Sequence, residues 1–155
     1  MTVSDEFRRT PISALVRRPL HSVSLETPLR DAIKLLREEN VRYVGVLQGP
    51  RLVGLLTERD LVKRAYGSDV GPDTPVSEIM NASPRTLHPQ DSLQTALDMF
   101  DLDRYRHVAL VDDRGRPHGV VTIRGIMHFL AESVPEAVLN LPPDPTRAAA
   151  TPEGA

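Results

Sequence analysis

Thr57 and Asp60 stand three residues apart, directly after the apolar run Val53-Gly54-Leu55-Leu56. A Thr-x-x-Asp spacing can do two kinds of chemistry. The hydroxyl and the carboxylate can close the first turn of a helix by reciprocal hydrogen bonds, the commonest use of the spacing. An ionised carboxylate there can also accept from two vicinal hydroxyls of a bound molecule, each bond being worth about 1.5–3 kcal/mol. Arg42, Arg106 and His107 are the cationic candidates. Both arginines follow a helical pattern and open a β-branched run, and guanidinium groups recognise oxyanions as planar, multi-donor forks. An isolated surface arginine, by contrast, contributes little. Asp112-Asp113 is an adjacent acid pair, but neighbours in a strand or turn point apart, so it reads as a hairpin turn.

Several other chemistries have no residues to carry them. With no Cys there is no disulfide, thiol nucleophile or thiolate metal site. His88, His118 and His128 show no metal-ligand spacing with one another or with carboxylates, so no metal is expected. The chain has no Gly-x-Ser-x-Gly elbow, His-Glu-x-x-His, Walker loop or dinucleotide fingerprint, which argues against an enzyme. A net charge of −2 and only 4% aromatic residues make nucleic acid an improbable partner. No apolar run approaches the roughly 20 residues that span a bilayer. The start MTVSDEFRRT lacks the apolar core of a secretory signal, so a cytoplasmic protein away from the membrane is expected.

The elements that must position these groups occur twice. Thr10-Pro11-Ile12-Ser13 matches Thr74-Pro75-Val76-Ser77, a shift of 64 positions. The same shift relates Leu29 to Leu93, Ala32 to Ala96, Arg42 to Arg106 and Val44 to Val108. After a one-residue insertion near Asp112-Asp113-Arg114-Gly115, Gly54 pairs with Gly119 and Thr57 with Thr122. A register kept over most of the chain and broken only at a turn marks a duplication. Each copy reads as a short capped helix (Ser13 to Val16; Ser77 to Met80), an extended stretch, an amphipathic helix, two strands and a second helix. The unit is β-α-β-β-α, an α/β (α+β) class, and a copy this short is marginal alone. Two copies packed with pseudo-two-fold symmetry are therefore expected.

The expected layout is an N-terminal arm at 1–10, repeat one at 11–68, a linker at 69–74, repeat two at 75–134 and an extension at 135–155. The linker lies in the turn-rich run Gly67 to Asp73. Val134 to Leu141 reads as a short apolar segment that docks on the body or on a second copy, and disorder is expected after Pro142.

The paired pattern resembles a tandem of cystathionine β-synthase (CBS) domains, the Bateman module, over about Ile12 to Ser133. The stretches that carry the likeness are Val53-Gly54-Leu55-Leu56-Thr57-Glu58-Arg59-Asp60 and Gly119-Val120-Val121-Thr122-Ile123-Arg124-Gly125. Arg42-Tyr43-Val44-Gly45-Val46 and Arg106-His107-Val108-Ala109-Leu110 add to it. The resemblance implies a stand-alone regulatory protein that senses an adenine nucleotide (AMP, ADP or ATP) in a cleft between the repeats and modulates a partner protein. It implies no required cofactor.

In such a cleft Thr57 and Asp60 would hold the ribose and Leu55 the adenine. Pro84, Arg85, Arg106 and His107 would form the opposing wall, with Arg42 reaching the same space. The second cleft departs from the pattern. Thr122 remains, with Leu20 and His21 facing it, but Gly125 stands where Asp60 stands in the first. One competent site and one degenerate or differently used site are expected. The resemblance also implies a homodimer formed through the second helices, with Leu61, Val62, Ile126, Met127, Phe129 and Leu130 as the face. Two alternatives stand beside the nucleotide sensor: a ligand-free dimerisation module, and a sensor of another adenosyl ligand such as S-adenosylmethionine.

Overall fold

A computed structural model describes residues 2–66, 69–103 and 106–133. Its element order is α1 (Val3–Arg9), β1 (Ser22–Ser24), α2 (Leu29–Glu38), β2 (Tyr43–Gln48), β3 (Arg51–Thr57) and α3 (Glu58–Ala65) in the first half. The second half has β4 (Thr86–Leu87), α4 (Leu93–Asp103), β5 (His107–Val111), β6 (Pro117–Thr122) and α5 (Ile123–Ser133). Each half forms a three-stranded sheet, β1-β2-β3 or β4-β5-β6, whose first pair is parallel and whose second is antiparallel. Even the ladder irregularities are mates, Val46/Leu47 in one sheet and Leu110/Val111 in the other. The β-α-β-β-α unit is present in both halves. The expected docking of Val134 to Leu141 and the disorder after Pro142 lie outside the described residues.

The arm before the first repeat is helical, and one expectation is corrected at the start of each repeat. The stretch 1–10 carries a helix, closed by a Thr2–Asp5 capping box, and Phe7 packs against the core of the second repeat. The expected short capped helices are 3-10 turns, Ile12–Leu15 and Val76–Glu78, and neither has a side-chain cap. Their leading amides are satisfied by the other repeat instead. Ile12 and Ser13 donate to the Asp91 and Pro89 carbonyls at 2.7 and 3.1 Å, and Val76 and Ser77 donate to Thr27 and Leu25 at 2.9 and 3.2 Å. With the backbone donors paired across the repeats, a hydroxyl cap has nothing left to do.

These turns exchange cores. Ile12 and Leu15 are buried with Leu87, Leu93, Phe100, Val108 and Leu110 of the second repeat. Val76, Ile79 and Met80 are buried with Leu29, Leu36, Val44 and Leu56 of the first. Each half completes its neighbour's core, so neither is a closed unit. A third, smaller cluster of Leu55, Ala109 and Val120 joins the two sheets face to face.

The second helices are only partly free to form a face. Ile126 is buried in its own core at 2% exposure, and Leu61, Phe129 and Leu130 are half-buried against the cores, whereas Val62 and Met127 are exposed. Ile126 therefore drops out of any dimer surface. Among the described residues, no helix is long and apolar enough to cross a membrane.

Candidate functional site

The first candidate site begins where β3 turns into α3. Thr57 is the N-cap residue, and its hydroxyl oxygen accepts from the Asp60 amide at 3.2 Å. The Thr57 amide and hydroxyl both donate to Asp60 Oδ2, at 3.0 and 2.9 Å. The spacing thus closes a capping box, and it uses one carboxylate oxygen to do so. Oδ1 takes no part in it.

A bridge across the repeats sets the opposite wall. The Leu55 amide donates to the Asn81 carbonyl at 3.1 Å, and the Asn81 amide returns a bond to Leu55 at 2.9 Å. Asn81 Oδ1 then accepts from the Ser83 amide at 3.1 Å, a turn that carries the chain round to Pro84 and Arg85. The result is a cavity of about 930 Å³ between the repeats.

Thr57, Asp60, Leu55, Pro84, Arg85, Arg106, His107 and Arg42 all line this cavity. The structure therefore brings every residue expected for the first cleft to one place. Glu58, Arg59, Lys63, Asn81, Phe100 and Ile123 line it too, unforeseen from the sequence. Lys63 was findable, being one helical turn beyond Asp60 on the same face. Phe100 was not, because its helical spacing marks it as core, and core it also is.

His107 and its repeat mate Tyr43 meet edge to face, with ring centroids 5.1 Å apart, as mates near a pseudo-two-fold axis must. Burial holds the His107 imidazole below its ordinary pKa. The Asp60 carboxylate pulls the other way, and the Arg106 and Arg42 charges add to the depression. Because the folded value lies below the unfolded one, the folded protein binds fewer protons. This contribution is complete above about pH 6.5 and is lost as pH falls from there through the folded-state value. Unfolding midpoints followed by circular dichroism should fall between about pH 7.5 and about pH 5.5. His107→Gln should flatten that slope, and an identical slope in the variant would contradict the assignment.

The family model for the CBS domain matches this chain twice, at residues 12–67 and 76–132. The chain belongs to the CBS-domain family. As a CBS pair it is 30% identical, over 122 residues, to the CBS domain-containing protein YhcV of Bacillus subtilis, covering 77% of this chain and 86% of that one. Its fold is similar to that of the CBS domain protein PAE2072 from Pyrobaculum aerophilum complexed with AMP. The TM-score is 0.69 at 26% identity, with 84% of this chain and 95% of that one covered. The CBS domain pair of protein MJ0100, in complex with 5′-methylthioadenosine and S-adenosyl-L-methionine, has the same fold. There the TM-score is 0.70 at 21% identity, with coverage of 79% and 97%. The chain spans only 25% of the inosine-5′-monophosphate dehydrogenase of Korarchaeum cryptofilum that it matches.

The second cleft of the pair is built differently. Thr122 Oγ1 accepts from the Gly125 amide at 2.9 Å, so the threonine caps α5 and no carboxylate answers it. Thr122 and Gly125 border a cavity of about 720 Å³, and Thr122 and His21 border an adjoining one of about 670 Å³. Leu20 is the expectation that fails. It lines neither of these cavities and packs instead among Leu55, Ala109 and Val120, where the sheets meet. Leu20 is an apolar side chain beside an apolar seam, so burial decides its direction. Arg17, Arg18, Arg124, His128 and Tyr43 line the region in its place.

Proposed function

We propose that this CBS pair is a regulatory sensor that binds an adenosyl ligand, AMP foremost, in the first cleft and modulates a partner protein through its occupancy. The observation that carries the reading is one cavity holding the Asp60 carboxylate, the Leu55 aliphatic surface and the Arg42, Arg106 and His107 group. The carboxylate suits a ribose diol, the aliphatic wall an adenine, and the guanidinium groups a phosphate. The AMP complex of the similar PAE2072 supports that choice of ligand. A cleft formed by both repeats also lets one ligand contact both, so a preference for one arrangement of the repeats would shift the population toward it. The role is regulatory rather than catalytic.

Thermal unfolding tests it. A ligand that binds the folded state raises the midpoint with concentration. AMP should do so, with adenosine and S-adenosylmethionine as comparison arms that separate phosphate recognition from adenosyl recognition. Midpoints flat to millimolar AMP, adenosine and S-adenosylmethionine would leave a ligand-free interaction module as the better reading. The exposed apolar side chains of Val62, Tyr66, Ile123 and Met127 support a homodimer as the working form.

A further inference from the structure

The second cleft has lost its acid and kept its cations. Arg18, His21, Arg42, Arg106, His107 and Arg124 line the cavity of about 670 Å³, and among the described residues no Asp or Glu lines it. The guanidinium groups of Arg18, Arg42, Arg106 and Arg124 make no hydrogen bond or ion pair with any described residue. Two acids stand near it: Glu39 lies 3.6 Å from His21, at the edge of the cavity, and Glu132 is paired with Arg17 away from it. Thr122 Oγ1 accepts from the Gly125 amide, which leaves its hydroxyl proton to donate. Four exposed guanidinium groups around one concave surface repel one another and focus a positive potential. A bound anion relieves that repulsion.

The ligand class follows from the comparison of the two clefts. In the first, the Asp60 carboxylate repels a bare anion and suits a neutral diol. At the second, Gly125, which lines the adjoining cavity of about 720 Å³, brings in neither the repulsion nor a diol acceptor. A single negative charge would leave most of the guanidinium forks unused, so a ligand with several phosphoryl oxygens fits best. We propose that the second cleft binds a bare phosphoryl polyanion of the pyrophosphate class, with no nucleoside attached.

Arg42, Arg106 and His107 line the first cavity as well. The two sites therefore draw on the same cations. Pyrophosphate in the second cleft weakens binding of a phosphorylated ligand in the first and leaves an unphosphorylated one alone. By linkage the effect is reciprocal. This coupling rests on the reading of the first cleft as an adenosyl site; the pyrophosphate site does not.

Calorimetric titration of the full chain with sodium pyrophosphate, at about physiological ionic strength, tests the proposal. One pyrophosphate per chain is expected, with binding at least tenfold weaker in an Arg18→Gln/Arg124→Gln variant, since these two arginines line the second cleft and not the first. The remote Arg37→Gln should bind pyrophosphate as the wild type does. Inorganic phosphate should bind more weakly than pyrophosphate, and saturating pyrophosphate should weaken AMP at least threefold without changing adenosine.

No heat with pyrophosphate overturns the proposal. So does an equal loss in Arg37→Gln, which would mean diffuse attraction, or a loss confined to Lys63→Gln, a cation of the first cleft and not the second, which would mean that the anion sits in the first cleft. If AMP and adenosine fail to bind while pyrophosphate still does, the adenosyl reading falls and this one stands.

Discussion

Asp60→Asn should weaken binding of AMP and of adenosine by tenfold or more, while the unfolding midpoint moves by only a few degrees. The two halves of that expectation come from two roles of one side chain. In the capping box, Oδ2 accepts from the Thr57 amide at 3.0 Å and from the Thr57 hydroxyl at 2.9 Å. An asparagine carbonyl oxygen can take the same bonds, so most of the cap survives. What it cannot supply is a charged acceptor for two vicinal hydroxyls. Losing one charge-assisted bond costs about 1.5–3 kcal/mol, and every 1.4 kcal/mol is a factor of about ten in affinity. Asp60→Ala removes both functions and should also cost about 1 kcal/mol of stability, in the usual range for a lost cap. Titration calorimetry and thermal unfolding on the three proteins separate the roles. If the asparagine variant binds as well as the wild type, the carboxylate is only a cap.

Much of the first cleft was legible because its chemistry lies in short, contiguous stretches. Thr57 and Asp60 are three residues apart, Arg106 and His107 are neighbours, and the repeat register ties Arg42 to Arg106. The architecture of each repeat was legible for a similar reason: apolar spacing reports helix and strand period directly. Period, however, does not say which core an apolar residue enters. Ile12 and Val76 carry the same pattern whether they pack on their own sheet or on the other one, and the exchange of the two 3-10 turns was therefore invisible. Leu20 shows the same gap from the other side. The repeat register made it the mate of Pro84, which lines the first cleft, yet its own side chain is held by the seam between the sheets. Arg17 and Arg18 carry no signal in the repeat pattern, because their mates, Asn81 and Ala82, are uncharged. A duplication predicts where the backbone goes twice; it does not predict what a diverged side chain does there.

Gly119→Ala should be among the most destabilising single-methyl changes in the protein, for a reason tied to that exchange. Gly119 sits in β6 with φ of +129°, a backbone conformation that side-chain-bearing residues rarely adopt. A Cβ placed there would strike Val16 Cγ1 and lie 3.0 Å from Cγ2 and 3.3 Å from Cβ of the same residue. Val16 follows the 3-10 turn that crosses from the first repeat, and a β-branched side chain has few ways to yield. Backbone strain of about 1–3 kcal/mol and overpacking of about 1–3 kcal/mol add to a loss of about 2–6 kcal/mol. For a chain of this length that lowers the midpoint by roughly 5–15 °C.

Its mate Gly54 makes the control. There an added Cβ would meet the Met80 sulfur and lie 3.1 Å from the Asn81 carbonyl oxygen, but φ is not positive and a thioether bends away readily. Gly54→Ala should therefore cost less than Gly119→Ala. Val16→Ala supplies the remaining arm of a double-mutant cycle: in that background Gly119→Ala should lose its overpacking share and keep its backbone share, a coupling of about 1–3 kcal/mol. A cycle with no coupling would mean that the crossing segment does not press on β6. A Gly119→Ala protein within about 0.5 kcal/mol of the wild type would remove the close approach altogether.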